Sequence, residues 1–274
     1  MHRISILQMT SGIDPEENGS AIVAAVKATA EGGGKMLFTP EMCGLLDRNR
    51  KRAAKHIVSE GQNGVLTSVC QACAEHGVWA SLGSLPVLAE AGRFANRAFV
   101  IDADGEIRGR YDKIHMFDVD LETGESWRES NAYQPGNAVS TIDTPLGKLG
   151  LTICYDIRFP ALFQELGGQR CDLIAIPAAF TVPTGRDHWH ILQRARAIEA
   201  SAFVVAAAQV GQHEDGRDTY GHSLVVDPWG KVILDMEQRE GLEFAELDLS
   251  RIEEVRRQLP SLANRRDIPR SDAP

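Results

Sequence analysis

Three side chains suited to hydrolytic chemistry follow apolar stretches of the kind that form β-strands. Glu41 comes directly after the run 36–40, and Cys154 ends the run 149–154. Lys113 lies beyond a strand that is predicted to close a hairpin. In open α/β sheets, functional side chains gather at the carboxyl ends of strands. A thiol, a carboxylate and an ammonium are the groups that amide hydrolysis through a thioester requires.

Cys154 has the most informative local sequence of the three. A predicted strand precedes it, and Pro160 stands where the first turn of a helix is expected. A helix N-terminus lowers the pKa of a nearby thiol and supplies backbone donors for an oxyanion, so Cys154 is a candidate nucleophile. Cysteine is also a common small buried hydrophobe. Its position alone leaves both interpretations open.

Glu41 and Lys113 each have two interpretations as well. A carboxylate just past an apolar strand and a proline is partly desolvated, which raises its pKa toward a value suited to a general base. The alternative for Glu41 is a solvated loop carboxylate. Lys113 is a candidate for stabilising the charge of an oxyanion, and the alternative is an ordinary surface lysine.

The elements that would position these residues occur twice along the chain, in the predicted order β-α-β-α-β-β. In the first half the predicted strands and helices are 4–9, 21–30, 36–39, 65–75 and 78–82, followed by a hairpin around Asp102. In the second half they are 149–154, 160–166, 173–176, 190–200 and 203–208, followed by a hairpin around Asp227.

Both predicted hairpins have an Asp that opens the turn and a Gly that closes it, Asp102 with Gly105 and Asp227 with Gly230. Alternating strands and helices predict right-handed crossovers with helices on the sheet faces. The apolar strand 203–208 indicates burial on both faces. Two such halves packed sheet to sheet give a four-layer αββα domain. A single doubly wound sheet fits the periodicity equally well.

The composition limits the classes of partner and compartment. The chain has 274 residues with 29 Lys and Arg against 38 Asp and Glu, a net charge of -9. This acidic balance argues against nucleic acid and anionic membrane as main partners. The sequence has no apolar run of the roughly 20 residues that span a bilayer, and its start lacks the apolar centre of a signal peptide. The 5 cysteines are odd in number and sparse, which favours a reducing cytoplasm over a disulfide framework.

Other reactive residues have simpler interpretations. Cys70 and Cys73 form a C-x-x-C inside a predicted helix, with no second pair, which favours core packing over zinc or redox chemistry. His188 and His190 lack a third ligand at a suitable spacing, so no metal site is predicted. A Cys-His pair of the protease type involving Cys154 stays open, because such partners meet only in the fold.

Three motifs in this chain together resemble the nitrilase, or carbon-nitrogen hydrolase, superfamily. They are FTPE at 38–41, YDKIHMFD at 111–118 and CYDIRFP at 154–160. The resemblance extends from Ile4 to about Arg266 and implies the αββα sandwich, with one hydrolase domain over residues 1–266 and a tail at 267–274. One departure is Met116 in place of the usual Leu, a change that conserves volume.

The resemblance also implies roles for individual residues. Glu41 would be the general base, Lys113 the stabiliser of the tetrahedral intermediate and Cys154 the nucleophile. Glu129 would orient Lys113 and the substrate amide, and the backbone N–H of Tyr155 would complete the oxyanion hole. No metal or organic cofactor is implied.

The second half looks most like the deaminated-glutathione amidase branch, on the segments TGRDHW at 184–189, QRARAIE at 193–199, AAAQ at 206–209 and YGHS at 220–223. The ω-amidase branch shares most of them, and AAAQ favours the first. We therefore expect a thioester-forming amidase for a small carboxylate-bearing amide, deaminated glutathione. The alternatives are an ω-amidase acting on 2-oxoglutaramate or succinamate, or an N-carbamoyl amide hydrolase. A non-enzymatic scaffold is disfavoured because all four catalytic positions hold competent residues.

Further residues are expected to bind substrate. Arg158 is placed to pair a substrate carboxylate bidentately, and the alternative is an ion pair within the domain, with Asp156 or a neighbour. Phe180 and Thr181 match positions that face the nucleophile in relatives. The resemblance implies a homodimer or higher homo-oligomer, with the helix 188–200 and the C-terminal segment near the interface. The loop 118–134 differs freely among relatives, so the sequence does not predict the mouth of the pocket.

Overall fold

The chain forms two six-stranded sheets flanked by helices in the computed structural model, which describes residues 1–89, 92–120, 124 and 126–268. Most of the expected C-terminal tail, 269–274, and part of the loop 118–134 lie outside the described residues. No helix of the described residues has the length and apolarity needed to cross a membrane.

The strands and helices of the described residues are as follows. The strands are β1 His2–Gln8, β2 Met36–Phe38, β3 Trp79–Leu88, β4 Phe94–Ile101, β5 Ile107–Asp112, β6 Asp118–Asp120, β7 Ser126–Arg128, β8 Thr141–Thr144, β9 Gly147–Leu151, β10 Leu173–Ala175, β11 Phe203–Ala206, β12 Val210–Gln212, β13 Asp218–Tyr220, β14 Leu224–Val226, β15 Val232–Asp235 and β16 Gly241–Leu247. The helices are α1 Pro15–Glu31, α2 Arg50–Ala53, α3 Gly64–His76, α4 Pro160–Gly168, α5 Val182–Ala200 and α6 Ser250–Gln258.

The two large sheets have equivalent topologies. Their strand orders are β16-β1-β2-β3-β4-β5 and β8-β9-β10-β11-β14-β15. In each sheet three consecutive strands are parallel, β1-β2-β3 and β9-β10-β11, and their other neighbours are antiparallel. The predicted repeat is therefore present. Each half ends with three strands, β3-β4-β5 and β11-β14-β15, rather than the predicted two, because the hairpin contributes two strands in addition to the strand that precedes it. Strand β16, from the end of the chain, completes the first sheet.

Alternate side chains of the first sheet face different layers. Ile4 and Ile6 of β1 belong to the core cluster that also contains the strands of the second sheet. Leu37, Phe99 and Ile101 point the other way and belong to the cluster formed with α1 and α3. Helices α4 and α5 pack on the second sheet through residues of the first cluster. The four-layer αββα sandwich is therefore confirmed, and the single doubly wound sheet is wrong.

The hairpin turns form as their sequences predict. The carboxylate of Asp102 accepts hydrogen bonds from the amides two and four residues later at 3.0 and 2.9 Å, and that of Asp227 does the same at 2.9 and 2.8 Å. Gly105 and Gly230 have φ values of 81° and 83°, which glycine adopts without steric cost. Each turn sets the register of the strands on either side of it.

Two helices begin earlier than their apolar periodicity indicates. Helix α1 starts at Pro15, where the Asp14 side chain accepts a hydrogen bond from the Glu16 amide at 2.8 Å. Helix α5 starts at Val182, with a proline in its first turn. The first turns of both helices are partly exposed, so the capping residue and the proline, rather than the apolar pattern, determine where they start.

Candidate active site

The structure brings Glu41, Lys113 and Cys154 together. Lys113 Nζ lies 2.8 Å from Glu41 Oε1, and the Cys154 thiol lies close enough to both charges for them to act on its pKa. All three side chains are buried, although they come from segments after β2, β5 and β9. The carboxyl ends of these strands therefore converge at one point, as expected for an α/β sheet.

Cys154 does not end a strand as predicted, because β9 stops at Leu151. It is the first residue of a short 3-10 turn, Cys154–Arg158, and its φ is 47°, in the left-handed region. Its amide donates to the Pro177 carbonyl oxygen at 2.8 Å. Left-handed backbone at a non-glycine residue is strained and persists only where the surroundings enforce it. Here the sharp turn directs the thiol to Glu41.

The Glu41 carboxylate is held on both oxygens. Oε1 accepts from Lys113 and from Asn96 Nδ2 at 2.9 Å, and Oε2 accepts from the Ala179 amide at 3.0 Å. Burial by itself would raise the pKa of Glu41, but the charge of Lys113 and these hydrogen bonds lower it below its ordinary value. The raised pKa expected from the sequence is therefore wrong, since the sequence does not reveal a buried cation in contact. The carboxylate is ionised at neutral pH.

Lys113 bridges two carboxylates inside the protein. Its side chain is only 2% exposed, and its ammonium lies 2.8 Å from Glu41 and 2.9 Å from Glu129. Burial by itself would lower the pKa of Lys113, but the charges of Glu129 and Glu41 raise it well above its ordinary value. The site therefore holds a permanent cation beside the thiol.

The pKa of Cys154 is shifted in the direction opposite to the one expected. Burial, followed by the charge of Glu41, raises the pKa of the thiol well above its ordinary value. Helix α4 starts only at Pro160, so the helix N-terminus does not adjoin the sulfur. The resting group is thus a neutral thiol beside an ionised carboxylate that can accept its proton. A Cys-His pair is not formed by His115 or His188, which contact Asp156 and Arg158 instead.

Glu129 and Asn96 complete the polar cluster. Glu129 accepts from Lys113 and from the Phe117 amide at 2.7 Å, so the sequence-predicted residue does contact Lys113. Asn96 Nδ2 donates to both Glu41 and Glu129, at 2.9 and 3.2 Å. Asn96 was not predicted from the sequence. The sequence could have indicated Asn96, because it is an asparagine among the mostly apolar residues of a strand. A buried side-chain amide in such a strand needs hydrogen-bond partners in the interior.

A cavity of about 890 Å³ opens over this cluster. Its lining includes all the residues that the sequence analysis proposed for substrate binding: Tyr155, Arg158, Phe180 and Thr181. The guanidinium of Arg158 lies 5.4 Å from the centre of the Phe180 ring, and its Nη1 is 3.2 Å from His188 Nδ1. The Arg158–Asp156 ion pair considered as an alternative is not formed.

Further cationic side chains line the same cavity. Arg48 and Arg50 are exposed there, and Arg217 packs over the Trp127 ring at 4.9 Å. Arg217 is already paired with Asp215 at 2.8 Å, whereas Arg50 Nη2 reaches a backbone carbonyl oxygen. The cavity thus combines a buried Glu-Lys-Cys cluster with a cationic rim, although the net charge of the chain is -9.

Residues 3–257 match the carbon-nitrogen hydrolase family. The chain belongs to this family. A deaminated glutathione amidase of Yersinia enterocolitica is 38% identical to this hydrolase over 268 residues, which cover 97% of this chain and 93% of that protein.

Solved structures show the same fold. The Caenorhabditis elegans NitFhit protein matches with a TM-score of 0.89 at 37% identity, covering 97% of this chain and 65% of that one. Saccharomyces cerevisiae Nit3, described as a member of branch 10 of the nitrilase superfamily, matches with a TM-score of 0.84 at 26% identity, covering 94% of both chains. The αββα sandwich of this hydrolase is thus the fold of its family.

Asp156 links two of the family motifs to each other. It is fully buried, and one carboxylate oxygen accepts from the Tyr111 hydroxyl at 2.7 Å and the Ile153 amide at 2.9 Å. The other accepts from the amide and the Nδ1 of His115 at 3.1 and 2.7 Å. The segment that carries Lys113 is thereby fixed to the turn that carries the thiol.

We expect Asp156→Ala to destabilise this hydrolase by about 2–5 kcal/mol, because it leaves several buried donors without an acceptor. Urea unfolding monitored by circular dichroism measures the loss. Tyr111→Phe is the matched control: it removes only one of these bonds and should cost about 1 kcal/mol. Equal losses in the two variants would contradict the assignment of Asp156 as the link.

Proposed function

We propose that this hydrolase is an amidase whose substrate is deaminated glutathione, in which a 2-oxo group replaces the amine of the γ-glutamyl part. The observation that carries the proposal is a neutral thiol held against an ionised carboxylate, beside a buried ammonium, at the base of a large cavity. Relatives named deaminated glutathione amidase, from Yersinia enterocolitica and Synechocystis, support the choice of substrate.

In the proposed acylation, Cys154 Sγ attacks the amide carbon while Glu41 takes the thiol proton. The tetrahedral oxyanion is stabilised by the Lys113 ammonium and the Tyr155 backbone N–H, because the first amides of a helical turn have no partner within that turn. Glu41 then gives the proton to the leaving nitrogen, and the C–N bond breaks. This step releases Cys-Gly and leaves a 2-oxoglutaryl thioester on the sulfur.

In the proposed deacylation, Glu41 removes a proton from water as the water oxygen attacks the thioester carbon. The C–S bond breaks, the thiol regains its proton and 2-oxoglutarate leaves. Glu129 and Asn96 act as positioning residues, because Glu129 holds the Lys113 ammonium and Asn96 holds the Glu41 carboxylate, and neither exchanges a proton with the substrate. In each step Glu41 therefore first accepts a proton as the base and then returns it as the acid.

The size and charge of the cavity favour a peptide-like substrate over a simple ω-amide. A volume of about 890 Å³ lies in the upper part of the range of roughly 300–1,000 Å³ that is usual for small-molecule sites. Deaminated glutathione carries a carboxylate at each end. Arg158 can bind the one on the 2-oxo acid, while Arg48 and Arg50 at the rim can bind the one on the departing dipeptide.

We expect Arg158→Lys to raise KM for carboxylate-bearing substrates about tenfold with a small change in kcat. Lysine keeps the charge but loses the planar fork that binds a carboxylate through two hydrogen bonds. Steady-state kinetics with deaminated glutathione measures the effect. Arg170→Lys, on an exposed arginine paired with Glu253, is the control. An unchanged KM in Arg158→Lys would indicate that Arg158 only supports the cavity wall.

The test of the proposed function is the hydrolysis of deaminated glutathione and 2-oxoglutaramate side by side, reported as kcat/KM. Release of Cys-Gly follows the first reaction and release of ammonia the second. We expect a preference of at least about tenfold for deaminated glutathione, or 1.4 kcal/mol in the activation free energy. A preference for 2-oxoglutaramate would indicate an ω-amidase, and no hydrolysis of either would contradict both assignments.

We also propose that residues 1–266 form one hydrolase domain that works as a homodimer or higher homo-oligomer in the cytoplasm. All five cysteines are free, which fits a reducing compartment. Ile191 and Ile198 lie on one face of α5 and are 69% and 43% exposed, and the neighbouring Trp229 is 52% exposed. An apolar patch of this kind favours a subunit interface. Sedimentation velocity at micromolar concentration should give a dimer or a larger oligomer, and a monomer would contradict the proposal.

A further inference from the structure

A second cluster of polar side chains lies away from the Glu-Lys-Cys site. It consists of His190 on α5, His222 in the loop before β14 and Asp235 at the end of β15. His190 Nε2 is 3.0 Å from Asp235 Oδ2, and His222 Nδ1 is 3.0 Å from Asp235 Oδ1. One donor atom from each residue lies within 4.8 Å of the other two. All three side chains are half-buried and reachable from solvent.

The position of His222 is fixed by several independent contacts. Its backbone has a φ of 56°, and its amide donates to the Glu237 carbonyl oxygen at 2.6 Å. Its carbonyl oxygen accepts from Trp189 Nε1 at 2.7 Å, and its ring stacks on Tyr220 with centroids 4.5 Å apart. Strained backbone at a non-glycine residue is maintained only where the surroundings enforce it. The imidazole is therefore pre-oriented toward Asp235.

We propose that His190, His222 and Asp235 bind one divalent transition-metal ion of the Zn²⁺ class. Two imidazole nitrogens and a carboxylate oxygen are ligands that Zn²⁺ and Co²⁺ accept, with water in the fourth position. Tetrahedral bonds of about 2.0–2.1 Å place ligand atoms roughly 3.3 Å apart. A single oxygen, Asp235 Oδ2, lies 3.0 Å from His190 Nε2 and 3.3 Å from His222 Nδ1, which is close to that value. The ion replaces the protons that the two rings now share with the carboxylate.

The charge balance of the cluster suits a cation. The Asp235 carboxylate supplies the oxygen ligand, and it lies 3.0 Å from a nitrogen of each imidazole ring. The Glu237 amide also donates to Asp235 Oδ1 at 2.8 Å, which fixes the carboxylate plane. Ligand orientation by surrounding hydrogen bonds is typical of metal centres.

A bound ion would connect three elements that the sequence keeps far apart: α5, the loop 220–223 and β15. The ring of Tyr220 stacks on His222, and the backbone amide of Tyr220 donates to the Phe180 carbonyl oxygen at 3.0 Å. Phe180 lines the substrate cavity. The ion would therefore stabilise the support of one cavity wall without touching the reacting groups. The sequence analysis found no third ligand for His190 because both partners come from other elements.

The test is a titration of the full-length, metal-free protein with Co²⁺. It is best done in the Cys154→Ala background, because the active-site thiol is itself a soft metal ligand. We expect one equivalent of Co²⁺ with visible d–d absorption and no thiolate charge-transfer band, displacement by Zn²⁺, and a rise in the unfolding temperature with either ion. His190→Ala should weaken Kd at least about 100-fold.

Two further variants make the titration decisive. His56→Ala, which removes an exposed histidine elsewhere, should bind Co²⁺ like the parent. Asp235→Asn keeps the size of the side chain and should lose Co²⁺ binding. The unfolding temperature of this variant without metal shows whether its fold is retained. If His190→Ala does not fold, Asp235→Asn takes its place in the test. The absence of stoichiometric Co²⁺ binding at micromolar concentration would overturn the proposal. So would equal binding in the parent and Asp235→Asn.

Discussion

Cys154→Ala is expected to lower kcat/KM for deaminated glutathione by roughly 10⁴-fold or more while leaving the fold intact. No other cysteine lines the cavity among the described residues, and the Lys113 and Glu41 charges remain paired without the thiol. Because the resting thiol is neutral, its removal leaves no buried charge without a partner. The unfolding free energy should therefore fall by only about 1–2 kcal/mol. Cys-Gly release and urea unfolding measure the two quantities.

Cys70→Ala is the matched control for this variant. Cys70 lies on α3 with a raised thiol pKa, caused first by burial, and should be inert. Intact mass spectrometry of the wild type, quenched during turnover, should show the added mass of the acyl group, and the Cys154→Ala protein should show none. Retention of a tenth of wild-type activity by Cys154→Ala would disprove the assignment of the nucleophile.

The strands, helices and hairpin turns could be predicted because the information for them is local, whereas the choice of the sandwich over a single sheet rested on the family resemblance. Buried strands such as 203–208 are continuous apolar runs, and the Asp and Gly of each hairpin determine the turn by themselves. The strand added by β16 could not be predicted, because it pairs with β1 from the opposite end of the chain. Pairing between distant segments leaves no periodic signal in either one.

The candidate site was only partly predictable for the same reason. Residue type and position at strand ends make Glu41, Lys113 and Cys154 candidates, and the family resemblance implies their roles. The directions of the pKa shifts of Glu41 and Cys154 were wrong, because they depend on which charge each group meets in space. The role of Asn96 could not be predicted for the same reason, because the two carboxylates that it contacts come from other segments of the chain. Sequence position indicates reactive groups, and only the fold shows how they act on one another.

Lys113→Met is expected to have the largest combined effect on activity and stability. The ammonium is the buried cation that Glu41 and Glu129 share, so its loss leaves two carboxylates close together without a counter-charge. Removing one member of a buried charge network typically costs about 3–5 kcal/mol. Loss of the oxyanion-stabilising charge should also lower kcat by about 10²–10³-fold. Urea unfolding and steady-state kinetics measure the two losses, with Lys27→Met, at an exposed lysine, as the control.

The same variant should reverse the contribution of Glu41 to the pH dependence of stability. In the wild type the pKa of Glu41 is below its ordinary value, so its stabilisation is present above the ordinary carboxyl pKa and is lost as the pH falls through the folded value. Without Lys113, burial is unopposed and the pKa of Glu41 rises above its ordinary value. The folded variant then binds more protons than the unfolded chain, so its stability falls as the pH rises. Unfolding free energies at about pH 5 and about pH 8 should therefore show Lys113→Met losing more stability, relative to the wild type, at the higher pH. A deficit that is the same at both values would mean that Lys113 does not hold the charge of Glu41.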